Sequence, residues 1–378
     1  MSKKEDAQTM RDAATALDRR QFLGTGMAIG AAAASLVAGL GASGRATAQN
    51  AAPPPPAGPG PGRPPLPPEP TVSQPPPLKD LKGKVAYITA SSDGIGLGIA
   101  RAASNAGMKV VIGYRNEDRL KAALPLFKPG NAGVLAIKHD VTDRDGWKSL
   151  LDEVKSKFGK LHLVVNNAGI KTLRQASQAK FDEWDNAVAV NFTAIYNSVA
   201  VCLPHMLEHG EGGHFVTTAS MGGLLPGVNA GVYTSTKIAA VGIMEALRVE
   251  LESTNIGTSV FCPGGVNTDN YVGSGEENPA RKPPPDGRPR MVFVSMDPLE
   301  AGERVLNGVV NNDLFILSHP EFKPGMQERF DAIMASTPAV ETPIPQPRID
   351  YERVVLRCGI YPREIEHRKG NRKNYRSV

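Results

Sequence analysis

The sequence predicts an α/β protein built on a single doubly wound parallel sheet. Three observations carry this. Short β-branched and aromatic runs alternate with longer segments of helical apolar period across residues 81–336. One of those runs, Leu161-His162-Leu163-Val164-Val165, is apolar almost without a break, as a strand covered on both faces must be. A glycine-rich turn joins the first run to the first helical segment, and the right-handed crossover rule leaves few other topologies.

The chain has 378 residues and a net charge of +5, but its ends are compositionally unlike its middle. The regular region, 81–336, is one domain's worth and long enough to bury a sizeable core. Residues 1–48 read as an export signal. Arg19-Arg20-Gln21-Phe22-Leu23, preceded by Asp18, resembles the bacterial twin-arginine pattern; an uncharged Ala/Gly-rich stretch runs to Ser43, and Ala46-Thr47-Ala48 offers a small-residue cleavage site. This implies the twin-arginine translocation machinery as a partner and a periplasmic or exported location. Retention as an anchor is the other reading, although so much Ala and Gly makes a weak membrane span.

Residues 49–80 are a proline-rich linker, without apolar period and expected to be extended. Residues 337–378 form a basic extension: from Arg348 onward nine Lys/Arg stand against four Asp/Glu, which accounts for the whole charge excess. Such a run is read as a solvated face, with an anionic membrane or polymer as the other possibility. Cys202, Cys262 and Cys358 have no zinc spacing, so no metal is expected; Cys202 and Cys262 sit in apolar surroundings and are expected as buried thiols. Nucleic acid is not an expected partner.

The elements follow in order. Val85-Ala86-Tyr87-Ile88-Thr89 is the first strand, and Ala90-Ser91-Ser92-Asp93-Gly94-Ile95-Gly96 turns it into a helix reaching Ala106. Such a turn points backbone N–H groups and a helix N-terminus at a pyrophosphate. Lys109–Gly113 is the second strand and ends in Tyr114-Arg115-Asn116. An acidic residue there would hold an adenosine ribose; none is present, and Arg115 can instead pair with a 2′-phosphate or simply start a surface helix. Val134–Ile137 leads to His139-Asp140-Val141-Thr142-Asp143, where Thr142 or Asp143 caps the helix around Trp147.

The strand at Leu161 closes in Asn166-Asn167-Ala168-Gly169, and Asn191 follows among apolar residues that oblige it to find buried partners. His214–Ala219 runs into Ser220, and a helix carrying Tyr233 continues past Leu251. Gly257–Cys262 leads to Pro263-Gly264-Gly265-Val266-Asn267-Thr268. Residues 271–296, rich in Gly, Pro and charge, read as a substrate lid or an inert insertion. A last helix over Glu300–Val310 and a strand at Leu314–Leu317 complete the sheet.

The chemistry centres on Ser220, Tyr233 and Lys237. Tyr233 and Lys237 are four apart and share one helix face. A fixed cation beside a phenol favours the phenolate and brings its pKa down toward neutrality, which makes it a usable proton shuttle. With a hydroxyl from Ser220, the set would bind and protonate a carbonyl oxygen.

The glycine-rich turn, Asn166–Gly169, Asn191, the Ser220/Tyr233/Lys237 set and Pro263–Thr268, in that order, resemble a classical short-chain dehydrogenase/reductase over Leu81 to Met334. The turn follows that family's Thr-Gly-x-x-x-Gly-x-Gly form, with Ala90 in place of the first glycine. Alanine is tolerable there if its φ is negative.

The resemblance implies a Rossmann-type domain and a nicotinamide cofactor, NADP with NAD possible. Ser220 would hold the substrate oxygen, Tyr233 would exchange its proton, Lys237 would hold the nicotinamide ribose, and Asn191 would anchor a relay water. Thr89, Ser91, Ser92, Asp93, Gly94, Ile95 and Gly96 would face the phosphates with Thr268; Arg115, Asp140 and Val141 the adenosine; Asn167, Ala168 and Gly169 would stabilise the central sheet and lie against the cofactor, and Tyr233, Lys237, Pro263, Gly264 and Val266 would meet its nicotinamide side. It also implies a homodimer or homotetramer through the helices after Asn191 and Tyr233. The chain's ending resembles a branch acting on bulky, often aromatic, secondary alcohols and ketones. An epimerase or dehydratase on the same scaffold, or a nucleotide-bound sensor, are the alternatives; the intact Ser220, Tyr233 and Lys237 speak against both.

Overall fold

The computed structural model describes residues 73–127, 133–268, 295–339, 343–355 and 359–370. The export-signal and cleavage readings, the linker before Ser73 and the 271–294 part of the lid reading lie outside the described residues.

Seven strands form one sheet: β1 (Val85–Ile88), β2 (Lys109–Tyr114), β3 (Val134–Lys138), β4 (Leu163–Asn166), β5 (Gly213–Thr218), β6 (Ile256–Cys262) and β7 (Phe315–Leu317). Their order is β3-β2-β1-β4-β5-β6-β7, and every neighbouring pair is parallel. The order reverses between β1 and β4. That switch point opens a crevice at the carboxyl ends of the strands, where an α/β sheet takes its ligand.

The helices are α1 (Gly94–Asn105), α2 (Glu117–Ala123), α3 (Arg144–Phe158), α4 (Phe181–Val188), α5 (Ala194–His209), α6 (Gly231–Glu250), α7 (Pro298–Asn311), α8 (Lys323–Ala335), α9 (Gln346–Val355) and α10 (Ile360–Gly370). Their starts follow from local chemistry. Asp93, Asn116, Asp143 and Asp297 each accept from an amide of the first turn, so Asp143 rather than Thr142 is the cap before Trp147.

Strand alternation divides the core into two layers. Val85 and Tyr87 of β1 face one cluster, with Trp147, Val154, Cys202, Met206 and Met244; Ala86 and Ile88 face the other, with Leu97, Ile99, Ala301 and Val305. Each fully buried side chain of this size contributes about 1.5–3 kcal/mol. Helices α3, α5 and α6 therefore cover one face of the sheet, and α1 and α7 the other. The run α4–α5 is apolar and long enough to cross a membrane by length and composition, yet Ile195, Val199, Cys202 and Met206 are spent in this core.

Between α4 and α5, Ala189–Thr193 is a π-helical turn, in which the Ala194 amide reaches back to the Ala189 carbonyl. Asn191 lies within this turn and is buried.

Two stretches read as peripheral in the sequence are packed. At the end of the proline-rich stretch, the Gln74 side-chain amide donates to the carbonyls of Leu251, Thr254 and Ile256 at 3.2, 2.7 and 3.0 Å, and Leu78 is 1% exposed. In the basic extension, α10 docks beside β7. Ile360 and Arg363 are buried, Arg363 pairs with Glu252, Arg368 pairs with Asp313 at 3.0 Å, and Glu364 accepts from the Leu314 amide at 3.1 Å. A solvated face describes α9, whose described side chains are exposed; in α10, Arg363 and Arg368 are used internally.

Candidate active site

Ser220 follows β5, the Ala90–Asp93 turn follows β1, Asn167–Gly169 follow β4, and Pro263–Thr268 follow β6. All therefore meet at the carboxyl edge of the sheet, with α6 bringing Tyr233 and Lys237 to the same place. Lys237 is 4% exposed; its Nζ donates to the Thr218 carbonyl at 2.9 Å and lies 5.7 Å from the centre of the Tyr233 ring. Burial lowers the Lys237 pKa to about 8. Ser220 Oγ accepts from the Gly222 amide at 3.0 Å and is hydrogen-bonded to the phenol.

The phenol itself departs from expectation. Burial raises the Tyr233 pKa, and the bond from Ser220 only opposes this in part. The expectation that Lys237 brings the phenol toward neutrality is therefore not met in the protein alone. The physical reason is direction: the ammonium is spent on the Thr218 carbonyl and faces the ring, while desolvation acts on the phenol unopposed by any charge at its oxygen.

Asn191 has found its buried partners. Its Oδ1 accepts from the Ile170 amide at 2.8 Å, and its Nδ2 donates to the Ile170 carbonyl and to Thr236 Oγ1, each at 3.0 Å. It ties the chain after β4 to α6. A Cβ added at Gly169 would stand 3.4 Å from both Asn191 Oδ1 and Lys237 Nζ, so glycine keeps open the space in front of the ammonium.

The turn after β1 is braced from within. The Thr89 hydroxyl accepts from the amides of Asn167 and Ala168 at 2.8 and 2.7 Å and donates to the Val165 carbonyl at 3.3 Å, which uses both lone pairs and its proton. Ser91 donates to the Ile88 carbonyl at 2.7 Å and is fully buried. These two hydroxyls hold the scaffold and are not offered to the crevice, which revises their expected place among phosphate contacts. Gly96 is required by close approach: a Cβ there would meet the Ala90 carbonyl and Asn167 Nδ2 at 2.5 Å.

Ala90 has φ +49°, in the left-handed region. The condition under which alanine would be harmless, a negative φ, is not satisfied, and the position carries the strain that a glycine would relieve.

At the end of β2, Arg115 lies 3.4 Å from Asp140, both exposed, while two bonds from Thr142 and then the Arg115 charge hold the Asp140 carboxyl low. Val141 is buried. Asp93 is partly occupied by the Gly94 amide at 2.7 Å and by Arg119 at 3.2 Å. Arg119 escaped the sequence reading; its only signal was its place one turn beyond Arg115.

Opposite the turn, a Cβ at Gly94 would stand 3.2 Å from the Thr268 methyl, so Thr268 closes over the start of α1. The Pro263 carbonyl accepts from the Met221 amide at 2.9 Å, and Val266 bridges to Met296. Cys262 and Cys202 are buried free thiols pushed up to about 12 by desolvation, hence unreactive.

A dinucleotide fits this cradle. The first-turn amides of Ile95 and Gly96 have no intrahelical acceptor and are free to meet an anion, and glycine at 96 and 169 keeps both places clear of a side chain. Among the described residues no cluster of His, Cys, Asp and Glu is arranged to hold a metal ion.

Residues 84–278 match the short chain dehydrogenase family model. The chain belongs to the short-chain dehydrogenase family. Its seven-stranded parallel sheet is the Rossmann-type fold of that family. The C alpha-dehydrogenase of Sphingobium sp. (strain NBRC 103272 / SYK-6) is 28% identical over 275 residues, which cover 70% of this chain and 90% of that protein. The structure of a short-chain dehydrogenase from Novosphingobium aromaticivorans superposes with a TM-score of 0.64 at 31% identity, covering 78% of this chain and 100% of the other. A short chain dehydrogenase/reductase from Burkholderia phymatum, solved in complex with NAD, gives a TM-score of 0.60 at 25% identity over 70% of this chain and 99% of its own. The protein is thus an oxidoreductase of the short-chain dehydrogenase family.

Proposed function

We propose that this short-chain dehydrogenase is an NADP(H)-dependent enzyme that interconverts a secondary alcohol and a ketone or aldehyde. The observation that carries the reading is the convergence of Ser220, Tyr233 and Lys237 at the carboxyl edge of the sheet, beside the Ala90–Gly96 turn and the start of α1. A bound nicotinamide supplies or accepts the hydride. The chain's own residues manage the oxygen and its proton. Ser220 holds the substrate oxygen by its hydroxyl, and Tyr233 gives the proton in reduction and takes it in oxidation. Lys237, one turn along α6, holds the ribose hydroxyls and supplies positive charge beside the phenol. Asn191 holds the π-turn and the Ile170 backbone in register with Thr236 of α6, and would keep the relay water in place behind Lys237.

Preference for NADP rests on Arg115 at the end of β2, where an acidic residue would repel the 2′-phosphate. A bulky, apolar substrate is supported by the loops beside Tyr233. Leu173 and Val228 expose their side chains on the loops before α6, and the Arg174 carbonyl accepts from the Val232 amide, which ties the first loop to the helix turn that carries Tyr233.

Association into a homodimer or homotetramer is supported by Tyr196 and Leu207 of α5 and Ile238 and Val249 of α6, all exposed; light scattering of the purified protein tests it. Export rests on Arg19-Arg20 and the uncharged stretch after them, and retention of an Arg19→Lys, Arg20→Lys variant in the cytoplasm would support it.

The direct test of the function is nicotinamide absorbance against time, with NADPH or NADH and a panel of aliphatic, aromatic and sugar carbonyls. Consumption with a bulky carbonyl is the expected result. Coenzyme binding without turnover of any carbonyl or alcohol would count against the reading.

A further inference from the structure

His319 lies between β7 and α8, far in sequence from every residue of the candidate site, and it is 8% exposed. Its Nδ1 accepts from the Gly264 amide at 2.9 Å, with Ser318 Oγ also at 2.8 Å, and its Nε2 faces the Gly265 carbonyl at 3.1 Å. The backbone decides the tautomer. An amide N–H can only donate and a carbonyl can only accept, so Nδ1 is bare and Nε2 carries the proton. The imidazole thus spans the Gly264-Gly265 dipeptide of the Pro263–Thr268 loop, holding the N–H at its start and the C=O at its end. It also approaches Gly264 closely: a Cβ there would lie 2.8 Å from the His319 ring and from Phe322.

The loop is fastened at other points as well. The Pro263 carbonyl accepts from Met221, next to Ser220, and the Gly265 carbonyl also accepts from Met296 at 3.0 Å. With Gly264 and Gly265 pinned, the following residue, Val266, has one orientation left for its amide.

We infer that His319 is a positioning residue for the nicotinamide half of the cofactor. By clamping the Gly264 N–H and the Gly265 C=O, it aims the Val266 peptide at the carboxamide and sets the distance between the β6 loop and Ser220. The inference rests on the reading of this crevice as a dinucleotide site and adds the residue that shapes its nicotinamide wall.

Three variants of the full protein separate the effects. His319→Phe keeps a ring against Gly264 and Phe322 but removes both hydrogen bonds; His319→Gln keeps one acceptor and one donor; His319→Ala removes everything. Calorimetry would compare the tighter-binding of NADPH and NADH with the matching fragment lacking nicotinamide, 2′,5′-ADP or ADP. In His319→Phe and His319→Ala the dinucleotide affinity falls about tenfold, the order expected for losing a pair of backbone clamps, while fragment affinity stays within about twofold. His319→Gln recovers most of the loss. A fragment affinity that falls in step with the dinucleotide affinity would mean general damage and would overturn the proposal. So would a wild-type preference for the dinucleotide that survives intact in His319→Phe. If the wild type itself bound dinucleotide and fragment equally, the dinucleotide reading of the crevice would fail first and the role of His319 with it.

Discussion

The Lys237 ammonium stands 5.7 Å from the centre of the Tyr233 ring, yet its hydrogen bond goes to the Thr218 carbonyl at 2.9 Å and not to the phenol. A buried cation with one carbonyl partner is an expensive arrangement for a core helix to carry. Its cost is a reason to look for what completes it: on the proposed reading, the ribose hydroxyls of the cofactor.

That cost gives a prediction about stability. Lys237 falls from 10.5 to about 8 on burial. Below pH 8 folded and unfolded chains both carry the proton, and the penalty is present in full. Between about pH 8 and 10.5 the folded protein has lost a proton that the unfolded chain keeps, so stability rises with pH through that window. At about 1.36 kcal/mol per pKa unit the penalty is on the order of 3 kcal/mol, offset by about 1 kcal/mol from the Thr218 bond. Lys237→Met should therefore be more stable than wild type by about 2 kcal/mol at pH 7, with the gap closing toward pH 10. Denaturant titration at both pH values measures it. A variant equal to or weaker than wild type at pH 7 contradicts the assignment.

A second stability prediction concerns Ala90 at φ +49°. Ala90→Gly removes left-handed strain of about 1–2 kcal/mol and adds a backbone entropy cost of about 0.5–1 kcal/mol. A net gain of about 0.5–1 kcal/mol should appear as a rise of about 2–3 °C in Tm. A fall in Tm would show that the turn does not carry that strain.

The contrast between what was and was not legible in the sequence has a physical basis. The strands were readable because a parallel sheet covered on both faces demands near-continuous apolar runs, and Val85–Ile88 and the first three residues of Leu163–Asn166 satisfy that locally. Tyr233 and Lys237 were readable because a helix converts a spacing of four into contact. The φ of Ala90 was not, since it follows from the close approach of Gly96 to the Ala90 carbonyl and not from the residue type. His319 was hidden because its partners, Gly264 and Gly265, belong to a different strand end. Gln74 and α10 were hidden for the same reason: Gln74 binds backbone carbonyls around the start of β6, α10 binds the Leu314 amide, Glu252 and Asp313, and all of these lie far away in sequence.

Coenzyme choice is predicted to turn on Arg115. The Arg115–Asp140 pair is solvent-exposed on both sides, so its loss should cost less than about 1 kcal/mol of stability. A charge-assisted contact to a 2′-phosphate contributes more, about 1.5–3 kcal/mol. Arg115→Ala should then weaken NADPH about ten- to hundredfold while leaving NADH within about twofold, as read by fluorescence titration with each coenzyme. Equal loss for both coenzymes would remove the basis for preferring NADP.

The central claim is that Tyr233 is the group that exchanges the proton with the substrate oxygen. The most direct measurement is kcat and coenzyme Kd for Tyr233→Phe beside wild type, on whichever carbonyl the panel identifies. The phenyl ring preserves the packing of α6 and removes only the hydroxyl. The expected result is a fall in kcat of about 10²–10⁴-fold with coenzyme affinity within about twofold of wild type. A Tyr233→Phe enzyme that turns over at the wild-type rate would contradict the assignment.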